Sequence, residues 1–239
     1  MASARGAFAV AAAILVAAAA IARFGVRAHT GRAGPSPDGT ASGGTASRGG
    51  VLGDSLRGIR EVFAVPALRR LLLLGWVIPL FSVAPESLAA PYITTHGGSA
   101  ALVGWWLAGL PVGIITGDML GVWFLPPAWQ RRLVGVAGLV SFCPYLVFFA
   151  LPPVSVCIPL LVASGMCSMY SLGLDARVRA ACPEGLFARM MAVNSAGLMT
   201  IQALGFPLAG LIGELAGPGA AVGIAGVCGV AGTLLLWPR

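Results

Sequence analysis

Seven apolar stretches of about twenty residues dominate this chain, and each is long enough to cross the roughly 30 Å hydrocarbon core of a bilayer as a helix. They are Gly6 to Ala22, Leu71 to Ala90, Ala101 to Leu125, Leu133 to Leu151, Ser155 to Leu174, Met190 to Gly213 and Gly217 to Trp237. In lipid every backbone N–H and C=O must be paired within the chain, so runs of this kind fold as helices. Composition agrees, because 58% hydrophobic and 10% charged residues leave too little charge to cover a water-facing surface. The expected fold is therefore all-α, a polytopic helical membrane bundle of about seven transmembrane helices. The first stretch is short and alanine-rich, with Arg5 before it and small residues at Ala20 and Ala22, so a cleaved signal peptide is its competing reading.

Arginine placement sets the orientation, since basic loops stay in the cytoplasm. All fifteen basic residues are arginine. Arg23, Arg27, Arg32, Arg48, Arg57, Arg60, Arg69 and Arg70 follow the first stretch, and Pro91 to Ala100 holds none. Arg131 and Arg132 follow the third stretch, Arg177, Arg179 and Arg189 the fifth, and Arg239 the last, with none in the connections between. Fourteen of fifteen thus fall on one side, Arg5 alone disagreeing. The pattern predicts a multi-pass protein of the cell membrane, N-terminus outside and C-terminus cytoplasmic.

Three regions follow. Residues 1–22 are the first transmembrane helix or a signal-like segment, residues 23–54 a flexible cytoplasmic linker rich in Gly, Ser, Thr and Pro, and residues 55–239 a six-helix transmembrane bundle. At the start of the last, Leu56, Ile59 and Phe63 recur at helical spacing with Arg57 and Arg60 between them. That pattern suits a helix along the inner membrane surface or an ordinary cytosolic helix ending near Pro66.

Within the spans, Gly109, Gly113, Gly117 and Gly121 recur every four residues and line one helix face, where a second backbone can approach closely. Gly223, Gly226, Gly229 and Gly232 repeat every three. Pro79, Pro85, Pro111, Pro144, Pro159 and Pro207 each remove a helix hydrogen bond, predicting kinks that either shape the bundle or let it rock.

Ionisable groups at bilayer depth cost about 2.5–3.5 kcal/mol each on insertion scales and mark a cavity, a partner or a path. Glu86 lies about 24 Å beyond Arg70 along a helix, in the outer part of its span, as a proton or cation acceptor or as an interfacial carboxylate. Asp118, near the cytoplasmic end of the next span, is expected to pair with Arg131, Arg132, Arg177 or Arg179 as a latch, or to stand alone at the interface. Asp175, beside Arg177 and Arg179, reads as an interfacial group in a wet loop. Asn194 and Gln202, eight residues apart, suit a path wall or interhelical hydrogen bonding, with Ser195 and Thr200 beside them. Trp105 and Trp106 suit a path or an interfacial aromatic belt.

Several classes are excluded. A retinal Schiff base needs a lysine, and there is none. His29 and His96 both lie in connections, so no serine within a span has a histidine base. No Walker-type phosphate loop occurs, and the five cysteines form no CxxC pair, so neither a metal nor a cofactor is expected. The basic residues do not form the dense stripe with aromatics that nucleic acid requires. An enzyme is not expected.

From Ser55 onward the chain resembles the C-terminal half of a major facilitator superfamily transporter. A basic amphipathic lead-in precedes six spans, a short inner loop (WQRR, Trp129 to Arg132) follows the glycine-laddered one, and PEGLFARMMAVNSAG leads into the penultimate helix. Asp118-Met119-Leu120-Gly121 resembles the second part of that family's Gly-x-x-x-Asp-x-x-Gly signature, with Ile114 where its first glycine would stand. The resemblance implies a secondary active transporter, a permease or exporter moving a small molecule by alternating access with proton coupling. It also implies that the first stretch corresponds to helix six of twelve. The partners expected are the lipid bilayer, a small-molecule substrate, protons and a missing N-terminal half or second copy. The alternative is a truncated or scaffold membrane protein that transports nothing.

Overall fold

The computed structural model describes residues 58–183 and 185–237. The first apolar stretch and the linker lie outside them. Six helices among the described residues are long and apolar enough to cross a membrane: α1 (Pro66–Thr95), α2 (Ala100–Phe124), α3 (Pro127–Ala150), α4 (Val154–Ala181), α5 (Phe187–Ala216) and α6 (Pro218–Leu235). The protein is a multi-pass membrane protein, all-helical among the described residues.

Helix ends follow local chemistry. Proline occupies the first helical position of α1, α3 and α6, where its fixed φ suits a helix and its missing N–H is no loss. Gly217, at φ 86°, ends α5 and hands the chain directly to α6. α1, α4 and α5 outrun their apolar stretches at both ends, α2 and α3 only at their starts, and α6 lies within its stretch. WQRR is not a loop: Trp129 to Arg132 lie in the first turns of α3, leaving Leu125 and Pro126 as the connection. Arg177 and Arg179 likewise lie in the last turns of α4. Asp175 is exposed but helical rather than in a loop.

Only some prolines interrupt their helices. α1 breaks at Val83 and Leu88 into Pro66–Ser82, Ala84–Ser87 and Ala89–Thr95, around Pro85. α3 breaks before Pro144 and tightens into a 3-10 turn over Val147–Ala150. Pro79, Pro111, Pro159 and Pro207 instead sit inside continuous helical segments. α4 has a 3-10 turn at Cys167–Met169, where no proline lies.

Glycine sets the packing. The α2 ladder seats its backbone on α4, the most extensive helix pair in the bundle. A side-chain carbon on Gly113 would stand 2.9 Å from the Cα of Gly165, and one on Gly121 would stand 3.2 Å from the Cβ of Met169. Two glycines of α6 receive rings, Phe149 on Gly223 and Phe142 on Gly229, and Gly226 lies against the Cβ of Tyr145 and the side chain of Leu146. α5 is peripheral. Only 11% of its most apolar window is buried, against 44% in α1, α3 and α6.

Ahead of α1, residues 58–64 are helical and bury Gly58 and Val62. Ile59, expected on the apolar face, is exposed, and Phe63 tilts against Trp76 with ring centroids 5.7 Å apart. An ion pair between Arg189 and Glu61 ties this helix to the start of α5. It ends before Pro66 because the extended conformation of Val65 is the one a following proline requires.

Candidate functional site

The candidate site is the broken middle of α1. Carbonyls at a break in a span need donors from elsewhere, because lipid offers none. Two neighbours donate hydrogen bonds to this break, and a third accepts one from it. The indole Nε1 of Trp106 (α2) donates to the Pro85 carbonyl at 2.7 Å, and the hydroxyl of Tyr145 (α3) donates to the Ser82 carbonyl at 3.2 Å. From α1 itself, Ser87 donates to the Phe206 carbonyl of α5 at 3.0 Å, next to Pro207. The unwound segment is thereby held to α2, α3 and α5 at once.

Glu86 lies in the center of this segment, half-buried. The donors around it are committed to backbone carbonyls, and its carboxylate forms no ion pair among the described residues. Toward the end of the bundle that carries no arginine, Tyr92 donates to the Pro152 carbonyl at 2.7 Å and stacks on His96 at 4.5 Å. Tyr92, Trp106 and Phe148 form an aromatic cluster with centroids 5.1–5.7 Å apart. This cluster packs α1, α2 and α3 together beside the break.

The two tryptophans of α2 separate. Trp106 is 1% exposed and acts as a clamp on α1, whereas Trp105 is 68% exposed. Asn194 on α5 accepts a 3.2 Å bond from Trp76 Nε1 through its side-chain oxygen, and the Trp76 ring lies over Gly197. The same indole approaches the Asn194 carbonyl at 3.3 Å. This polar group therefore joins α1 to α5. Gln202, half-buried, lies eight residues on, and Glu86 is not among the partners of either.

Asp118 is half-buried near the arginine-bearing end of α2, and its Oδ1 is buried without a hydrogen-bond partner among the described residues. The expected arginine pair is not formed there. The sole ion pair among the described residues is Arg189–Glu61. Arg131 instead lines a cavity with Arg69, Arg70 and Arg177, to which α2 contributes no wall, and Arg132 is exposed.

Three contributors were not legible in the sequence. Gln130 caps the end of α2, donating to the Gly121 and Leu125 carbonyls at 2.9 and 3.0 Å. Tyr145 and Trp76 are the others, each an aromatic donor inside an apolar span. That donor must find an acceptor, which flags the residue without telling which carbonyl it meets. No family model, curated protein or solved structure matches this chain.

Proposed function

We propose that this six-helix unit belongs to a secondary transporter of the major facilitator type, moving a small molecule across the cell membrane by alternating access. In this reading Glu86 accepts the proton that couples flux to a pH gradient. The observation that carries it is a carboxylate with no ion pair among the described residues, in a discontinuous span whose loosened backbone is shared among three neighbouring helices. Transporters place coupling and substrate sites at such breaks, because unwound backbone combines polarity with the freedom to re-form. An intramembrane carboxylate is too costly to keep as decoration.

Asn194 and Gln202 on α5 supply further polar contacts along the path, and the glycine seam between α2 and α4 gives a slim face suited to sliding. Asp118 with Arg131 and Arg132 forms the cytoplasmic latch in a second conformation of the cycle. A second six-helix unit, a separate N-terminal half or another copy, supplies the opposing wall, and the sparsely buried α5 supports that arrangement.

The test is flux in proteoliposomes carrying the full chain, alone or co-reconstituted with a candidate partner half, with ethidium as probe and a pH-sensitive dye inside. Gradient-driven ethidium movement with matching proton movement is expected, and Glu86→Gln is expected to abolish the gradient dependence while leaving downhill exchange. Folded protein that moves no probe under any gradient would favour a non-transporting membrane scaffold instead.

A further inference from the structure

At the arginine-bearing end, between α1, α3 and α4, lies a cavity of about 530 Å³. Four guanidinium side chains line it: Arg69 and Arg70 from the first turn and a half of α1, Arg131 from α3, and Arg177 from α4. No carboxylate is among its described walls. Four like charges around one space repel each other, and an anion among them relieves that repulsion.

Two further features aim the site at an anion. Arg177 is anchored, its Nε donating to the Arg131 backbone carbonyl at 2.8 Å, so one of the four charges is tied to the first turns of α3 while the remaining nitrogens of that fork stay available. Pro66 and Ala67, the first turn of the 17-residue helical segment that opens α1, also line the cavity, and no side chain caps that terminus. Unsatisfied N–H groups and the positive end of the helix dipole add to the guanidiniums.

We propose that this cavity binds the phosphate of an acidic phospholipid, with the headgroup among the four arginines. Phosphate matches the chemistry because guanidinium forks bind its oxygens in pairs. Lipid, rather than a soluble phosphate, fits the position: the cavity opens where the leucine run of α1 begins, and Leu71, Ala180 and Ala181 give it an apolar side. Arg60 and Arg179, at the same end, do not line it.

Native mass spectrometry of the full chain in neutral detergent tests this, titrating phosphatidylglycerol, phosphatidylcholine and inorganic phosphate separately. Phosphatidylglycerol should bind at least tenfold more tightly than phosphatidylcholine. Each pocket arginine replaced by glutamine should weaken it about fivefold, a figure appropriate to one basic group at an anionic surface. Arg69→Gln/Arg70→Gln is the primary variant, because neither side chain holds another element in place. Arg131→Gln/Arg177→Gln repeats the loss from the other walls, and Arg60→Gln/Arg179→Gln removes equal charge outside the cavity and should change binding less than twofold. Equal binding of the two lipids, or equal losses inside and outside the cavity, would overturn the site. Saturation by inorganic phosphate at concentrations no higher than those of lipid would overturn the lipid assignment.

Discussion

Gly113 and Gly104 share one helix and one residue type, yet their surroundings oppose each other. A Cβ on Gly113 would meet backbone of α4, including the nitrogen of Met166 at 3.0 Å, whereas one on Gly104 would meet nothing within 4 Å. Backbone cannot rotate away as a side chain can. Gly113→Ala should therefore force α2 and α4 apart and cost about 1–3 kcal/mol, the usual penalty for overpacking a close-packed contact. Gly104→Ala should raise stability by about 0.5–1 kcal/mol, since alanine loses less backbone entropy in a helix interior. Thermal unfolding of both variants in detergent checks the pair. Equal shifts for the two would show that the seam is not the tight contact described. The ladder itself was readable in advance, because a four-residue period fixes a single face. Which helix would meet that face was not, since α4 offers only Gly165 as a matching signal.

At the scale of the helix, the break in α1 is held by donors from its neighbours, and the adjacent tryptophans of α2 make the point testable. Trp106→Phe removes the donor to the Pro85 carbonyl and leaves that buried acceptor unsatisfied, an expected loss of about 1–3 kcal/mol. Trp105→Phe, on the exposed face, should stay within about 0.5 kcal/mol. Denaturant or thermal titration monitored by circular dichroism would separate them, and similar losses would mean that Trp106 contributes packing alone. Sequence could not tell these neighbours apart, because both suited an aromatic belt and burial depends on where α1 lies. Pro85 marked a weak point in α1, and the charge and depth of Glu86 singled it out within the chain. The second break at Leu88 and the 3-10 turn of α4 carried no such mark. The α4 turn falls where Met166 and Met169 pass over Gly117 and Gly121, so packing between helices, not local composition, coincides with it. The Asp118 latch failed to appear for a related reason. Proximity along the chain suggested Arg131, but the fold turns that side chain toward α1 and α4.

For the molecule as a whole, the packing of α2 along α4 in the same direction and of α6 against α3 in the opposite one fits spans that alternate, and helix ends gather Arg69, Arg70, Arg131, Arg132, Arg177, Arg179 and Arg189 on one side. The opposite end holds His96, Pro152 and Gly217 and, among the described residues, no arginine. Moving guanidinium groups across a bilayer during insertion is opposed by both their hydration and the membrane potential, so the arginine-bearing end should stay in the cytoplasm. Ser99, in the connection before α2, and Ala128, at the start of α3, are both exposed and lie at opposite ends of α2. In a chain whose five cysteines are replaced by alanine or serine, Ser99→Cys should react with a membrane-impermeant maleimide on intact cells. Ala128→Cys should react only after permeabilisation. The reverse pattern would invert the molecule and move the arginine cavity to the outer leaflet. Labelling of both from the same side would deny that α2 crosses at all, and with it the alternation on which the placement of Glu86 in the outer half of α1 depends.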